Sequence, residues 1–548
     1  MTKSKKILAA LLCAAMMLSM SACSNDANSE ITTTEASDTT TTAEEEETTT
    51  KPRPERTTED ESTAEPVPNP NNPEGVISPS AVTEDGIEYE AESAALYGNM
   101  AIIDVTDFSN KQGVEKFESA SDFIEFYIEL EEAGVYDITF IARGIGSDKE
   151  NFVSVDGEQI GSITHLNNQL SEASVLSVVM SAGEHKITLT KSWGWIQLDK
   201  MIIKKAKGID DEVYNVTSTQ LINPNATAET KSLYKFLCDS YGEYIISGQV
   251  CDSGINGTEF KAIHKITDKY PAMLGLDMMD YTEGRIAEGA SSTAIEKAIT
   301  FYNDYNGIVT FCWHWNAPHE YLKSDTDSEN GNPSWWGGFY SRNTNFDIAK
   351  VMNGQDEEGK KLLDKDIAAI AAQLKTLEEA GVPVIWRPLH EASGGWFWWG
   401  AKGADAYKKL WIYLYDQLTN VYECNNLIWV YNGQSAEWYP GDEYVDIIGE
   451  DIYPGEQVYS PQTAKFSEAL DYSETNKIVA LTENGCVFDI DAAIASNTKW
   501  AWFNTWSGEY VVSGFSYSEQ YTEEEILKKA YDSEYVLTLD ELPDLKTY

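Results

Sequence analysis

The 548-residue chain is short of positive charge: 40 Lys and Arg stand against 90 Asp and Glu, a formal net charge of -50. Such a surface repels phosphate backbones and anionic lipid headgroups, which excludes nucleic acid as a partner and purely electrostatic attachment to a membrane. Histidine is scarce, six in all, and His314 and His319 fall off one helical face, so they do not form a catalytic zinc pair. No Gly-x-Ser-x-Gly elbow occurs, and Gly144-Ile145-Gly146 lacks the third glycine of a dinucleotide loop. Cysteine is sparse as well. Beyond Cys23 there remain Cys238, Cys251, Cys312, Cys424 and Cys486, an odd set with at least one free thiol. Cys312 and Cys486 read as small core residues. Cys238 and Cys251 are near enough in sequence to suggest a disulfide, which spacing alone leaves undecided. Aromatic residues are absent before Tyr89, so the first 85 residues cannot build a core.

What the N-terminus does have is a basic start (Lys3, Lys5, Lys6), an apolar stretch from about Ile7 to Leu18, and Ser21-Ala22-Cys23. This is a secretory signal, too short to span a bilayer as a helix. The placement of Cys23 resembles the lipobox of bacterial lipoproteins; the alternative is ordinary cleavage near Ala22. The resemblance implies lipidation of Cys23 and a chain held on the extracellular face of a bacterial cell membrane through its lipid alone, since several acyl chains anchor stably where one does not. Residues 24–85 are rich in Thr, Glu and Pro, with 16 acids against Lys51, Arg53 and Arg56. Such a segment cannot bury enough apolar surface to offset its ordering entropy and reads as a disordered, extended stalk.

Residues 86–206 change to short alternating runs. In Val135 to Ala142, the side chains of Tyr136, Ile138, Phe140 and Ala142 share one face, and further runs at 122–130, 151–163, 174–180 and 185–191 are punctuated by turns such as Asp156-Gly157 and Ala182-Gly183. This pattern predicts a β-sandwich of jelly-roll type. Tyr89-Glu90-Ala91-Glu92 and Trp195-Ile196-Gln197-Leu198-Asp199 resemble carbohydrate-binding modules of family 35. The resemblance implies Glu90, Glu92 and Asp199 as ligands of a structural calcium, for which an all-oxygen set is suited; the alternative is that they are solvated acids of an acidic protein. Trp193 and Trp195 each read equally as a sugar-stacking platform or as core packing.

Residues 216–542 alternate apolar strands with amphipathic helices. Strands are predicted at 244–247, 272–276, 307–312, 382–386, 426–431, 445–449, 477–481 and 500–503, and a helix at 363–380 carries Ile367, Ile370, Ala371, Leu374 and Leu377 at helical spacing. Eight such units predict a (β/α)8 TIM barrel, whose chemistry sits at the C-terminal ends of its strands. Polar and aromatic residues appear there: His314 and Asn316, His390 and Glu391, Tyr453, Glu483 and Asn484, and Trp506. Glu391 and Glu483 each follow an apolar strand. Two carboxyls converging on one mouth suit glycoside hydrolysis, one protonated to donate to the leaving oxygen and one ionised. Trp335, Trp336 and the run Trp396 to Trp399 supply flat faces for sugar rings or lids over the helices.

The stretches Trp386 to Gly400 (WRPLHEASGGWFWWG), Leu481 to Gly485 and Asp451 to Pro454 resemble glycoside hydrolase family 26, best known for endo-β-1,4-mannanases. Residue by residue, the resemblance implies Glu391 as acid/base, Glu483 as nucleophile, and His390 at the reacting sugar. It further implies Tyr453 as the nucleophile's hydrogen-bond partner, His314, Trp396 and Trp506 as walls of that subsite, Trp336 in substrate binding, and Arg387 paired with Glu483. It implies no cofactor for catalysis, a neutral plant polysaccharide, β-mannan, as partner, and action as a monomer. Three alternatives stand beside it: a β-1,3-xylanase, a mixed-linkage β-glucanase, or a non-catalytic glycan-binding lipoprotein. Loop lengths, which decide endo or exo action, are not legible in these motifs.

Overall fold

In the computed structural model of the chain, the four residues placed on one face by alternation (Tyr136, Ile138, Phe140, Ala142) are all buried within the strand Gly134–Gly144. The structure describes Val82 and residues 86–192, 194–324 and 333–548. The signal segment, Cys23, the stalk apart from Val82, and Trp193 lie outside the described residues.

One antiparallel sheet of the N-terminal module runs Ala101–Asp104, Gln112–Glu115, Ile196–Lys205, Gly134–Gly144 and Ser171–Met180, with Ile87–Glu90 also pairing onto Ile196–Lys205. The other runs Ala95–Leu96, Ile124–Leu130, Gly183–Lys191, Lys149–Val155 and Glu158–His165. The inner faces meet in one apolar core, where Phe126 of one sheet packs edge-on against Phe140 of the other at 6.2 Å. The run predicted at 151–163 is a hairpin rather than one strand, because Asp156 and Gly157 both take positive φ (53° and 96°) and fold it back. A register shift between Leu198 and Lys200 leaves Asp199 in a bulge of the last strand, a device that re-aims one side chain.

The barrel strands are Ile245–Val250, Met273–Asp277, Ile308–Trp313, Val384–Pro388, Leu427–Tyr431, Ile447–Ile452, Ile478–Asn484 and Trp502–Thr505. Each pairs in parallel with the next, and strand one joins strand two to strand eight, closing the sheet. Strands six and seven run further than the apolar pattern indicates, through Asp451 and Glu483. These acids are held by buried hydrogen bonds, so the polar residues that look like loop are strand. The helix predicted at 363–380 starts at Glu357 because the Asp356 carboxylate caps it, accepting from the Gly359 N–H.

Residues 206–227, linker-like in composition, form a strap. Asn476 donates to the carbonyls of Glu212 and Asn215, Asn497 to the carbonyl of Ile209, and the Tyr214 ring packs on Tyr241 and Phe466. Ile222 N–H donates to Asp446. Asp446, Asn476 and Asn497 precede strands six, seven and eight, so the strap crosses the barrel's N-terminal end, opposite the strand ends that carry Glu391 and Glu483. All five described cysteines are free thiols, which settles Cys238 and Cys251 as unlinked.

Asp366, on the long helix, accepts the Trp315 indole N–H at 3.0 Å. Burial pushes its carboxyl up from 3.8 to about 7, and the Trp315 bond only partly opposes this. The native state therefore binds this proton more tightly than the unfolded chain between those two values, and stability falls as pH rises through that window. Asp366→Asn, which keeps an acceptor for the indole, should reduce the drop in melting temperature measured between about pH 5 and pH 8 and melt above the parent at the alkaline end. Equal drops in both proteins would contradict this assignment.

Candidate active site

Strand four ends at Pro388, and the chain then turns sharply, with φ of 55° at Leu389 and 52° at Glu391. Non-glycine residues rarely take this left-handed conformation, which costs on the order of 1 kcal/mol or more each unless the surroundings impose it. Here they do. Glu391 N–H donates to the Asn432 carbonyl at 2.7 Å, the Trp399 indole donates to the His390 carbonyl at 2.8 Å, and Ser393 N–H donates to the Gly433 carbonyl at 3.2 Å. Trp396 folds back over Gly394, where any Cβ would lie 1.9 Å from its ring, and so delivers its indole N–H to Glu391 Oε2 at 2.8 Å.

Glu483 is 1% exposed at the end of strand seven. Its Oε1 accepts from Arg387 Nη2, and its Oε2 accepts from the Tyr453 hydroxyl at 2.5 Å. Arg387 Nη1 also donates to Asp451 Oδ2 at 2.7 Å and to Asn432 Oδ1 at 2.9 Å, while Thr482 Oγ1 donates to Asp451 Oδ1 at 2.7 Å. Carboxyl oxygens of Glu391, Asp451 and Glu483 lie within 4.8 Å of one another. A trio so close could hold a metal ion, but the guanidinium already supplies the positive charge to two of its members.

Burial, followed by the nearby charges of Asp451 and Glu483, raises the Glu391 carboxyl well above the usual range, against a smaller downward pull from Trp396. Its protonated form is thus the favoured one. Burial disfavours the Arg387 cation, but Asp451 and Glu483 more than reverse that and hold it protonated. Arg387 and Tyr453, donating to its two oxygens, fix the direction of the Glu483 carboxyl. Burial raises the Tyr453 phenol as well, so it remains a donor. The two acids therefore stand in different surroundings a few ångströms apart, Glu391 favoured in its protonated form and Glu483 held by two donors.

On the facing side, His314 Nδ1 bonds Asp277 Oδ2 at 2.6 Å, and His314 Nε2 meets His390 Nε2 at 3.2 Å. Phe339, Phe397 and Trp506 stand edge-on around His314, at 4.9, 5.6 and 5.9 Å between ring centres. Burial, then Arg387 and His314, lowers the His390 imidazole well below its ordinary value, so it is uncharged. Trp398 and Trp399 are fully buried and donate to backbone carbonyls, which makes them supports of the turn rather than sugar platforms.

The profile of Glycosyl hydrolase family 26 matches residues 222–541. The chain belongs to this family. The profile of Carbohydrate binding module (family 35) matches residues 87–206. A mannan endo-1,4-beta-mannosidase of Thermothelomyces thermophilus is 36% identical over 455 residues, spanning 83% of this chain and 90% of the relative. Among solved structures, the Podospora anserina GH26-CBM35 beta-(1,4)-mannanase is 34% identical with a TM-score of 0.59, covering 84% of this chain and 99% of that one. A beta-mannanase from a symbiotic protist of the termite Reticulitermes speratus, complexed with gluco-manno-oligosaccharide, is 34% identical with a TM-score of 0.51 over 60% of this chain and 98% of that one.

Within this family 26 barrel, Glu391, Glu483, His314, His390, Trp396, Tyr453, Trp506 and Arg387 fall into one connected network. Trp336 does not join it; its carbonyl, like that of Trp335, accepts from Arg285, whose guanidinium lies over the Trp335 ring. Sequence reasoning missed Asp451, Asp277, Asn432 and Thr482. Asp451 heads the motif Asp451-Ile452-Tyr453-Pro454, and its place at the end of an apolar strand was a usable signal. Asp277, too, closes an apolar strand, that of 273–277.

In the family 35 module, Ser109 Oγ donates to Glu90 Oε2 at 2.6 Å and contacts Asp199 Oδ1 at 2.9 Å, and Asn110 Nδ2 donates to Glu92 Oε1 at 3.1 Å. Glu92 and Asp199 are buried. Burial raises the Glu90 carboxyl, and the neighbouring Glu92 and Asp199 charges add to that against the Ser109 bond. Trp195 is 50% exposed, with the Lys149 ammonium 6.0 Å from its ring centre, so it does not pack in the sandwich core.

The Trp396 indole is the larger of two groups that pull the Glu391 carboxyl down, ahead of the Arg387 charge. Trp396→Phe should raise the Glu391 pKa further and move the alkaline limb of the pH dependence of hydrolysis upward, as read from initial rates across pH. A limb that stays in place or moves down would show that another group sets it.

Proposed function

We propose that this family 26 glycoside hydrolase is an endo-acting β-1,4-mannanase that cleaves with retention of anomeric configuration. The observation that carries this reading is the approach of the Glu391 and Glu483 carboxyl oxygens to within 4.8 Å, with Glu391 protonated and Glu483 clamped by two donors. Retaining glycosidases hold the pair about 5–5.5 Å apart, while inverting enzymes leave about 6.5–9.5 Å for a water. The names of the relatives support β-mannan as substrate.

Glu483 attacks the anomeric carbon while Glu391 passes its proton to the departing oxygen. Forming the ester removes the negative charge on Glu483, which lowers the proton affinity of Glu391 and converts it to a base. Glu391 then takes a proton from water as that water attacks the anomeric carbon, and Glu483 leaves as carboxylate. Arg387 and Tyr453 keep Glu483 oriented throughout and receive its charge back at the end.

The experiment is a digestion of linear mannan, galactomannan, β-1,3-xylan and lichenan with parent and Glu483→Ala proteins. A ladder of short oligosaccharides from the mannans alone, loss of turnover in the variant, and its return with azide to give a product of inverted configuration are expected. Normal hydrolysis by Glu483→Ala, or release only from xylan or lichenan, would refute the reading.

We further propose that Cys23 is lipidated and that this lipid, through the stalk, holds the enzyme, as a monomer, on the outer face of a bacterial cell membrane. The support is the Ser21-Ala22-Cys23 placement and the Thr/Glu/Pro stalk. In the sandwich, the oxygen-only set of Glu90 and Asp199, which share Ser109, and Glu92, bonded to the adjacent Asn110, fits Ca²⁺. Those three residues would hold the ion, which would neutralise their charge and tie the first strand to the bulge of the last. Calcium should raise the melting temperature of the parent and not of Glu92→Gln; an equal rise in both would remove the assignment.

A further inference from the structure

Asp277 closes strand two, and its two oxygens have different tasks. Oδ1 accepts the backbone N–H groups of Met279 at 2.9 Å and His314 at 3.1 Å; Oδ2 meets His314 Nδ1 at 2.6 Å. Three N–H groups thus donate to this one carboxyl and hold it as an anion. A carboxylate only accepts, so Nδ1 of His314 must carry a proton. The next link joins two imidazole nitrogens, His314 Nε2 and His390 Nε2, and needs one proton between them. At the far end, His390 Nδ1 is buried and has no hydrogen-bond partner among the described residues, although its ring is one residue from Glu391.

We propose that Asp277 is a positioning residue: it sets the direction of the chain Asp277–His314–His390 and thereby commits His390 Nδ1 as an acceptor for a hydroxyl of the sugar beside Glu391. In this arrangement His314 carries its proton on Nδ1 and accepts at Nε2 from His390 Nε2–H, which leaves His390 Nδ1 bare. Every nitrogen on the chain is matched to a proton or a lone pair, and no second cation is added beside Arg387. The bare nitrogen is the group to which a substrate hydroxyl can donate. The inference rests on Glu391 and Glu483 as the acting pair, since only that reading places a sugar here.

The isostere Asp277→Asn tests it because it should reverse the chain. Its Oδ1 remains bound to the two backbone amides, so its NH2 group faces His314 and donates to Nδ1. His314 must then hold its proton on Nε2 and donate to His390, whose own proton moves to Nδ1. The site would then present a donor where the sugar also brings one, a loss of turnover by wrong tautomer.

Nitrogen-15 spectra of the full chain, with His390 assigned by its absence in His390→Gln, read this directly. The parent should show His390 protonated at Nε2, and Asp277→Asn should show it protonated at Nδ1. On β-mannan, Asp277→Asn should lower kcat by about tenfold or more with a smaller change in KM, as expected for an interaction made chiefly in the transition state. In the His390→Gln background the same change should cost less than about twofold, because its route to the sugar is already cut. A proton on His390 Nδ1 in the parent, an unchanged tautomer in the variant, or a full additive loss in the double variant would overturn the proposal. The nitrogen-15 result is independent of hydrolysis, so it stands apart from a failure of the Glu391 and Glu483 assignment, which Glu483→Ala reports separately.

Discussion

The Arg387 guanidinium is the constraint around which the rest of the site is arranged. It is buried, it comes from strand four, and it bonds Asp451 of strand six, Glu483 of strand seven and, through a neutral amide, Asn432 just past strand five. Removing one member would leave uncompensated charge out of reach of water, which is far more damaging than the worth of any one pair suggests. The same cation separates the roles of the two acids. It steadies Glu483 directly, while Glu391, which lacks such a partner and sees two negative neighbours, keeps its proton.

The strained turn at 389–391 follows from that arrangement. A strand continuing straight past Pro388 would carry Glu391 away from Glu483. Two residues in the left-handed region bring it back, and the carbonyls of Asn432 and Gly433 hold it there. The buried tryptophans of this loop then have a mechanical task, with their indole N–H groups spent on backbone carbonyls at Trp315 and His390. Trp396 is the exception: partly exposed, bonded to a carboxyl, and able to touch both protein and ligand.

Much of this was legible in the residue order. The eight barrel strands stand where the apolar runs place them, because strands buried on both sides read as unbroken hydrophobic stretches. Glu391 and Glu483 were legible because each stands out against such a stretch. What escaped was polar material inside strands. Asp451 and Thr482 read as the beginning of loops, and only the buried network around Arg387 shows why they continue the sheet. Asp277 escaped for a related reason: its value lies in a contact with a histidine 37 positions away, which no local pattern records. The strap at 206–227 has the composition of a tether, while Asn476, Asn497 and Tyr214 give it the hydrogen bonds and packing of a fixed element.

That strap changes what two-site attachment to a polysaccharide means for this enzyme. With a flexible tether, the gain from holding substrate at two places follows the statistics of the tether and varies smoothly with its length. Here the carbonyls of Ile209, Glu212 and Asn215 are bonded to the barrel, so the link has little free length, and any gain from a sandwich that held the same polysaccharide would be selective: large on a surface whose chains recur at a matching distance and angle, lost on one where they do not. The texture of the solid, as much as the chemistry of its sugars, would then decide what is cut.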